Sequence, residues 1–155
     1  SGFFLENYLR DIPALKATGA LRGALAKGQA IPMVSIRDIG AQAAKLMRRR
    51  DFSGHVALDL LGPEDLAPRD VARILGQAIG KSTLEYIEIS IAEFSAELQT
   101  AGVGISSAEA IAGIYAGYNS GLLQPEVPRN AASTNPIGIH SFARTFADAF
   151  DATPQ

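Results

Sequence analysis

Apolar residues along this chain recur in two rhythms, about four apart in some segments and alternating in others, and the succession of the two reads as an α/β protein. Leu5 to Leu15 is helical in part, with Pro13 interrupting it. Gly19, Gly23 and Gly28 punctuate a loop-rich stretch, and Ile31 to Ile36 (IPMVSI) is a short strand with Pro32 near its start. Asp38 is the natural N-cap of a helix whose Ile39, Ala43, Leu46 and Met47 repeat at helical spacing. That helix ends in Arg48, Arg49 and Arg50, where cations suit the negative end of the helix dipole. His55 to Leu61 (HVALDLL) reads as a second strand, stopped by Gly62 and Pro63.

Pro68 fits the first position of the next helix, whose apolar stripe is Val71, Ile74, Leu75, Ala78 and Ile79, with Gly80 as its stop. Thr83 to Ile89 alternates as a strand near an edge, with Leu84, Tyr86 and by extension Glu88 on one face and Glu85, Ile87 and Ile89 on the other. Ser90 and Glu93 have capping-box spacing, and Ile89 and Phe94 have hydrophobic-staple spacing. In the helix they start, Phe94 and Leu98 face inward and Gly102 closes it. Ser106 and Glu109 repeat the capping pattern before a stripe of Ala110, Ile111, Ile114, Tyr115 and Tyr118 that ends at Gly121. Gly121 to Gly138, with Pro125, Pro128 and Pro136, has no periodicity and reads as a long mobile loop of the lid or binding-loop kind. A last helix places Phe142, Phe146 and Phe150 on one face, and Asp151 to Gln155 is expected to fray.

Composition narrows the class. The 155 residues are 47% hydrophobic and 19% charged, which suits a folded domain with a core rather than a disordered chain. The formal net charge of −2 gives no nucleic-acid footprint. The absence of cysteine removes disulfides, thiolate catalysis and Cys-based zinc sites. No apolar run is long enough to span a bilayer, and Ser1-Gly2-Phe3-Phe4 has no basic region before it, so no signal peptide is read there and the expected location is the cytoplasm.

Few residues advertise chemistry. Asp38 is explained as a cap, and the three arginines as a solvated helix end. His55 and His140 have no visible partner, and the adjacent Glu64 and Asp65 lack further ligands, so no metal site is expected. Tyr115, Tyr118 and Asn119 precede the long loop; a tyrosine hydroxyl there could hydrogen-bond a carbonyl substrate, or the rings could be core.

Three segments, in order and correctly spaced, carry a family resemblance. They are SGFFLENYL (1–9), VSIRDIGAQAAKL (34–46) and LDLLGPEDLAPRDVARILGQAIG (58–80). Together they resemble the C-terminal half of NmrA-like proteins, members of the atypical short-chain dehydrogenase/reductase superfamily. Ala67 departs from the pattern, standing where the family usually has a Thr or Ser cap.

The resemblance implies a single domain over 1–155: a small, mostly parallel sheet flanked by five or six helices, the substrate-binding part of a Rossmann-type reductase. It implies an NAD(P)-dependent parent acting on a quinone, carbonyl or similar small electrophile. It also allows a non-catalytic NAD(P)-sensing regulator, or a protein-interaction module. Phe3, Phe4 and Asn7 would border the nicotinamide and substrate cleft, unless both phenylalanines are simply core. The chain has no G-x-x-G-x-x-G or G-x-G-x-x-G turn and no Tyr-x-x-x-Lys pair. The dinucleotide-binding N-terminal half is therefore expected to be absent, and no cofactor is expected on this chain alone. Inactivity in isolation follows, as does association with itself or with the missing half.

Overall fold

The computed structural model describes residues 2–126 and 128–153. Its strands are β1 (Phe3–Phe4), β2 (Leu21–Gly23), β3 (Ile31–Val34), β4 (Asp65–Leu66) and β5 (Tyr86–Glu88). Its α-helices are α1 (Ile12–Thr18), α2 (Ile36–Arg49), α3 (Pro68–Ala78), α4 (Ile91–Thr100), α5 (Ile105–Asn119) and α6 (Ile139–Ala152), and a 3-10 helix spans Leu5–Asp11. The strands make two small sheets rather than one. β3 pairs in parallel with β1 and antiparallel with β4, and β2 pairs in parallel with β5.

α3 and α6 form the packing centre. Val71, Leu75 and Phe146 have no measurable exposure, and Phe142 is buried beside them. Pro68 occupies the first turn of α3, Ala67 precedes it without a side-chain cap, and Gly80 takes the left-handed conformation just after its end, as the spacing predicts. Ala78, expected in the stripe, faces solvent. Phe150 packs on the core's margin under the Lys16 ammonium, 4.5 Å from the ring centre. Lys16 also donates to the Thr153 carbonyl at 2.5 Å, so the helix is tied through Ala152 and Thr153 rather than frayed from Asp151. Of the segment expected to fray, Pro154 and Gln155 lie outside the described residues.

Several boundaries differ from the sequence reading, each for a local reason. Pro13 does not interrupt a helix; it sits in the first turn of α1, where its missing N–H costs nothing, and the 3-10 turn before it absorbs the change of path. The glycine-punctuated stretch contains β2, because parallel pairing with β5 outweighs the poor strand propensity of Leu21-Arg22-Gly23. Ser35, not Asp38, caps α2, its hydroxyl accepting from the Arg37 N–H at 3.2 Å. Asp38 is buried and accepts from the Ile137 N–H at 2.9 Å, fastening the long loop to α2. α5 begins after Gly104, so Ser106 lies inside the helix and caps nothing. Ser90 does cap α4, accepting from the Glu93 N–H at 3.1 Å, but the Glu93 carboxylate turns away to Arg22. Glu88 faces out and Ile89 in, because strict alternation stops where β5 ends.

The long loop divides in two. Residues 121–126 form an exposed arm, and Val127 lies outside the described residues. Residues 130–138 are held by buried polar contacts. Asn135 is 1% exposed; its backbone N–H and side-chain amide both donate to the Leu61 carbonyl, and its side-chain oxygen accepts from Gln42.

The largest departure lies on the other side of the molecule. His55 to Leu61 is not a strand: only Leu61 pairs, in an isolated parallel bridge to Thr134, while the Leu60 carbonyl accepts from the Gly2 N–H at 3.2 Å. A strand needs a neighbour, and none among the described residues lies beside 52–58. Phe52, Val56 and Leu58 are each more than half exposed. The apolar stripe of α2 is similarly open, with Met47 at 72% exposure, Ala43 exposed, and Ile39 and Leu46 only partly covered. No helix among the described residues is long and apolar enough to cross a membrane.

Deleting buried rather than open apolar groups should separate the two regions. Phe146→Ala should cost about 3–5 kcal/mol, and Met47→Ala at most about 0.5 kcal/mol. Denaturant midpoints of the two variants check this; comparable losses would mean that α2 is packed in solution.

Candidate functional site

A 3-10 helix advances three residues per turn, so residues three apart lie above one another. Asn7 and Arg10 therefore share a face, and Phe4, the extended residue just before the helix, lines the same cleft. On α5, Ile111, Ile114, Tyr115 and Tyr118 have the i, i+3, i+4, i+7 spacing of one helical face. These two faces, with Gly2 and Phe3, enclose a cleft of about 320 Å³, within the range of small-ligand sites. All five residues singled out from the sequence, Phe3, Phe4, Asn7, Tyr115 and Tyr118, line it.

The two phenylalanines divide the roles that the sequence reading left open. β1 alternates, so Phe3 points into the protein at 7% exposure while Phe4 points into the cleft at 40%. The Phe3 ring meets Tyr8, Tyr115 and Tyr118 edge-on, with centroids 6.0, 5.7 and 6.1 Å away. Tyr115 also packs on Phe94 of α4 at 4.4 Å. Gly2 is required where it stands: a Cβ there would lie 2.6 Å from the Pro32 carbonyl oxygen and push β1 off β3.

The polar face is fixed from behind. Glu6 accepts from the Ser35 hydroxyl at 2.6 Å and from the Ile36 N–H at 3.0 Å, placing a carboxylate on the donor-rich start of α2. That lock orients the 3-10 helix and hence Asn7 and Arg10. Asn119 is structural, donating to the Ala24 carbonyl at 2.7 Å and accepting from the Ala26 N–H at 2.8 Å.

Electrostatics keep the tyrosines neutral. Burial pushes Tyr115 up to about 12, with nearby Asp11 adding to the shift and the Arg10 guanidinium opposing it. Burial likewise raises Tyr118, and raises Tyr8 well above the ordinary phenol value. The Tyr8 hydroxyl has no hydrogen-bond partner among the described residues. Tyr86, also raised by burial, accepts from the Leu25 N–H at 3.1 Å. Each hydroxyl is therefore held neutral rather than as an anion. Asp11 lies behind the cleft, in a small cavity with Tyr8, Arg22, Tyr86 and Tyr115. Burial raises its carboxyl to about 7, against the lowering effect of Arg10.

Other candidates stand apart. Asp65 pairs with Arg129, Arg49 pairs with Asp51, and His55 and His140 are exposed away from the cleft. Arg10 and Asp11 were not singled out from the sequence, and Ile111 and Ile114 were read only as part of a core stripe. The three-residue spacing of Asn7 and Arg10 was the available signal, visible only if the segment is read as 3-10 rather than α. Ala110 and Ile114, expected in the core stripe, are exposed; the buried face of α5 is instead Ala108, Ala112, Tyr115 and Tyr118.

No protein-family model and no curated protein matches this sequence. Solved structures do match the fold. An NADPH-dependent quinone oxidoreductase from Escherichia coli superposes with a TM-score of 0.72 at 24% identity, over 94% of this chain and 52% of that one. Triphenylmethane reductase from Citrobacter sp., in complex with NADP(H), gives 0.68 at 18% identity, over 95% and 51%. A nucleoside-diphosphate-sugar epimerase from Staphylococcus aureus gives 0.69 at 19% identity, over 92% and 50%. The chain thus spans about half the length of the structures it matches. Its mixed α/β fold is shared with about half of each of these structures.

Asp11 generates a pH prediction. The folded state holds its proton up to about pH 7, whereas the unfolded chain releases it near 3.8. The stabilising contribution is present below the unfolded value and is lost as pH rises through the folded one. Stability should fall between about pH 4 and pH 7, with a ceiling of about 4 kcal/mol from this group, and Asp11→Asn should flatten that slope. Denaturation midpoints across this range decide; an unchanged slope in the variant would place the carboxyl in water.

Proposed function

We propose that this chain is the substrate-binding portion of an NmrA-like, NAD(P)-dependent reductase acting on a quinone, carbonyl compound or similar small electrophile. The observation that carries the reading is the convergence of Phe3, Phe4, Asn7, Tyr115 and Tyr118 on one cleft. The shared fold with reductases supports it.

The chain's own residues divide the work. Phe4, Ile114 and Tyr118 exclude water and give a flat electrophile apolar walls. The Asn7 amide orients a substrate oxygen. The Tyr115 hydroxyl, held neutral, donates a hydrogen bond to a carbonyl oxygen and favours the negative charge that reduction places there.

The dinucleotide does not fit this chain. Gly19 ends α1, Gly23 closes β2 with the Tyr86 hydroxyl 2.7 Å from where a Cβ would stand, and Gly28 faces Arg69. None opens a helix after a strand, so no backbone cradle for pyrophosphate is formed among them. The cofactor, which supplies a hydride when bound, belongs on a companion dinucleotide-binding half. That half would cover the open stripe of α2 and continue a sheet beside 52–60, in the cytoplasm where such reductases draw on NAD(P)H. Without it the chain is inactive, and the same surface favours self-association, since apolar area in water costs about 25 cal/mol per Å².

Fluorescence tests the site directly. The chain has four tyrosines and no tryptophan; Tyr115 and Tyr118 line the cleft, and Tyr8 and Tyr86 lie behind it. A naphthoquinone should quench their emission saturably, and Asn7→Ala or Tyr115→Phe should each weaken binding about tenfold. NADPH alone should give no saturable micromolar binding. Linear quenching, equal in all variants, would contradict the assignment.

A further inference from the structure

We propose that Arg10 makes the cleft selective for planar conjugated ligands that carry an anionic oxygen group, such as an aromatic carboxylate, and is the residue that determines this specificity. The inference rests on the cleft being the substrate site and adds the charge of what enters it.

Of the residues lining the cleft, Arg10 alone carries a charge. It takes part in none of the ion pairs formed among the described residues. The nearby Arg22, by contrast, is held by Glu93 and Glu97, each at 2.9 Å. Arg10 stands one 3-10 turn beyond Asn7, so its guanidinium and the Asn7 amide serve the same wall, in the cleft that Tyr115 also lines. Its sequence neighbour Asp11 turns the other way, behind Phe3, Asn7 and Tyr115. The backbone thus puts a cation on the cleft side and a carboxyl on the far side of the wall.

Three features then define the ligand. The aromatic rings of Phe4, Tyr115 and Tyr118 favour a flat molecule. Arg10 is itself exposed, and an anion seated against the apolar walls meets the single positive charge of the cleft. A guanidinium is planar and offers paired donors, the geometry that a carboxylate accepts. A cationic dye of the same shape meets repulsion instead.

The charge is tunable. The titratable and charged groups around Asp11 are Tyr8 and Arg10 on its own helix, Arg22 from β2, Tyr86 from β5 and Tyr115 from α5. With Arg22 paired and the tyrosines neutral, Arg10 and Asp11 set the local balance. As pH falls through about 7, Asp11 takes up its proton, and the pair changes from net neutral to net positive. Affinity for an anion rises in that direction.

The test uses three naphthalenes that differ in one substituent: the 2-carboxylate, the 2-methanol and the 2-methylammonium. Each is titrated into the chain by calorimetry, with amide chemical shifts locating the site. The carboxylate should bind about tenfold more tightly than the alcohol, and the ammonium more weakly than either. Arg10→Gln should abolish the preference, bringing the carboxylate's affinity down to that of the alcohol; Arg10→Lys should restore much of it; Arg22→Gln should keep it. Binding in the cleft with no charge preference, or a preference that survives Arg10→Gln, overturns this inference and leaves the substrate site standing. Absence of any shift at the cleft overturns both.

Discussion

The ring of Phe3, edge-on to Tyr8, Tyr115 and Tyr118, joins β1, the 3-10 helix and α5. β1 is two residues long and β3 is four, so backbone pairing alone gives them marginal stability. The aromatic cluster supplies the missing cohesion by burying large rings in favourable edge-to-face geometry. It also sets the cleft. With Phe3 turned inward, alternation turns Phe4 outward, and the 3-10 helix that follows must present Asn7 and Arg10 on the side of Phe4. The Glu6 contact with the start of α2 fixes the rotation of that helix. A hydrophobic hub at Phe3 and an electrostatic lock at Glu6 position the polar groups of the site.

The molecule has two unlike sides. Around α3 and α6 the core is closed, and buried polar groups such as Asp38 and Asn135 satisfy loop backbone. Along α2 and residues 52–58 the apolar positions keep the periodicity of core elements but lie in water. The hydrophobic effect accounts for the contrast: faces patterned for burial are stable only against a partner surface. The cleft opens between the 3-10 helix and α5, so ligand recognition and the proposed docking of a dinucleotide-binding half use separate elements joined by Glu6 and Ser35.

What was legible in the sequence follows the reach of each interaction. α3, α4 and α6 could be read because apolar spacing, Pro68, Ser90 and Gly80 act within a turn or two of themselves. Phe3, Phe4, Asn7, Tyr115 and Tyr118 were named through resemblance and spacing, and they share one cleft. β2 and β4 were illegible because their strand character comes from β5 and β3, distant in sequence. His55 to Leu61 misled in the opposite sense, having the pattern of a strand without a neighbour to pair with. Asp38 fits the role of a cap by its place before an amphipathic stripe, but Ser35 stands closer to the helix start and the Ile137 amide gives Asp38 a long-range partner. Arg10 and Asp11 escaped because a 3-10 helix and an α-helix place them on different faces.

An amide chemical-shift map recorded during titration with 1,4-naphthoquinone tests the central claim most directly, because it locates the ligand without relying on activity. The account predicts changes concentrated in residues 2–11 and 111–119, the two walls of the cleft. Changes concentrated instead on α2 and residues 52–58 would show that the open apolar surface, and not the cleft, is where this protein meets small molecules.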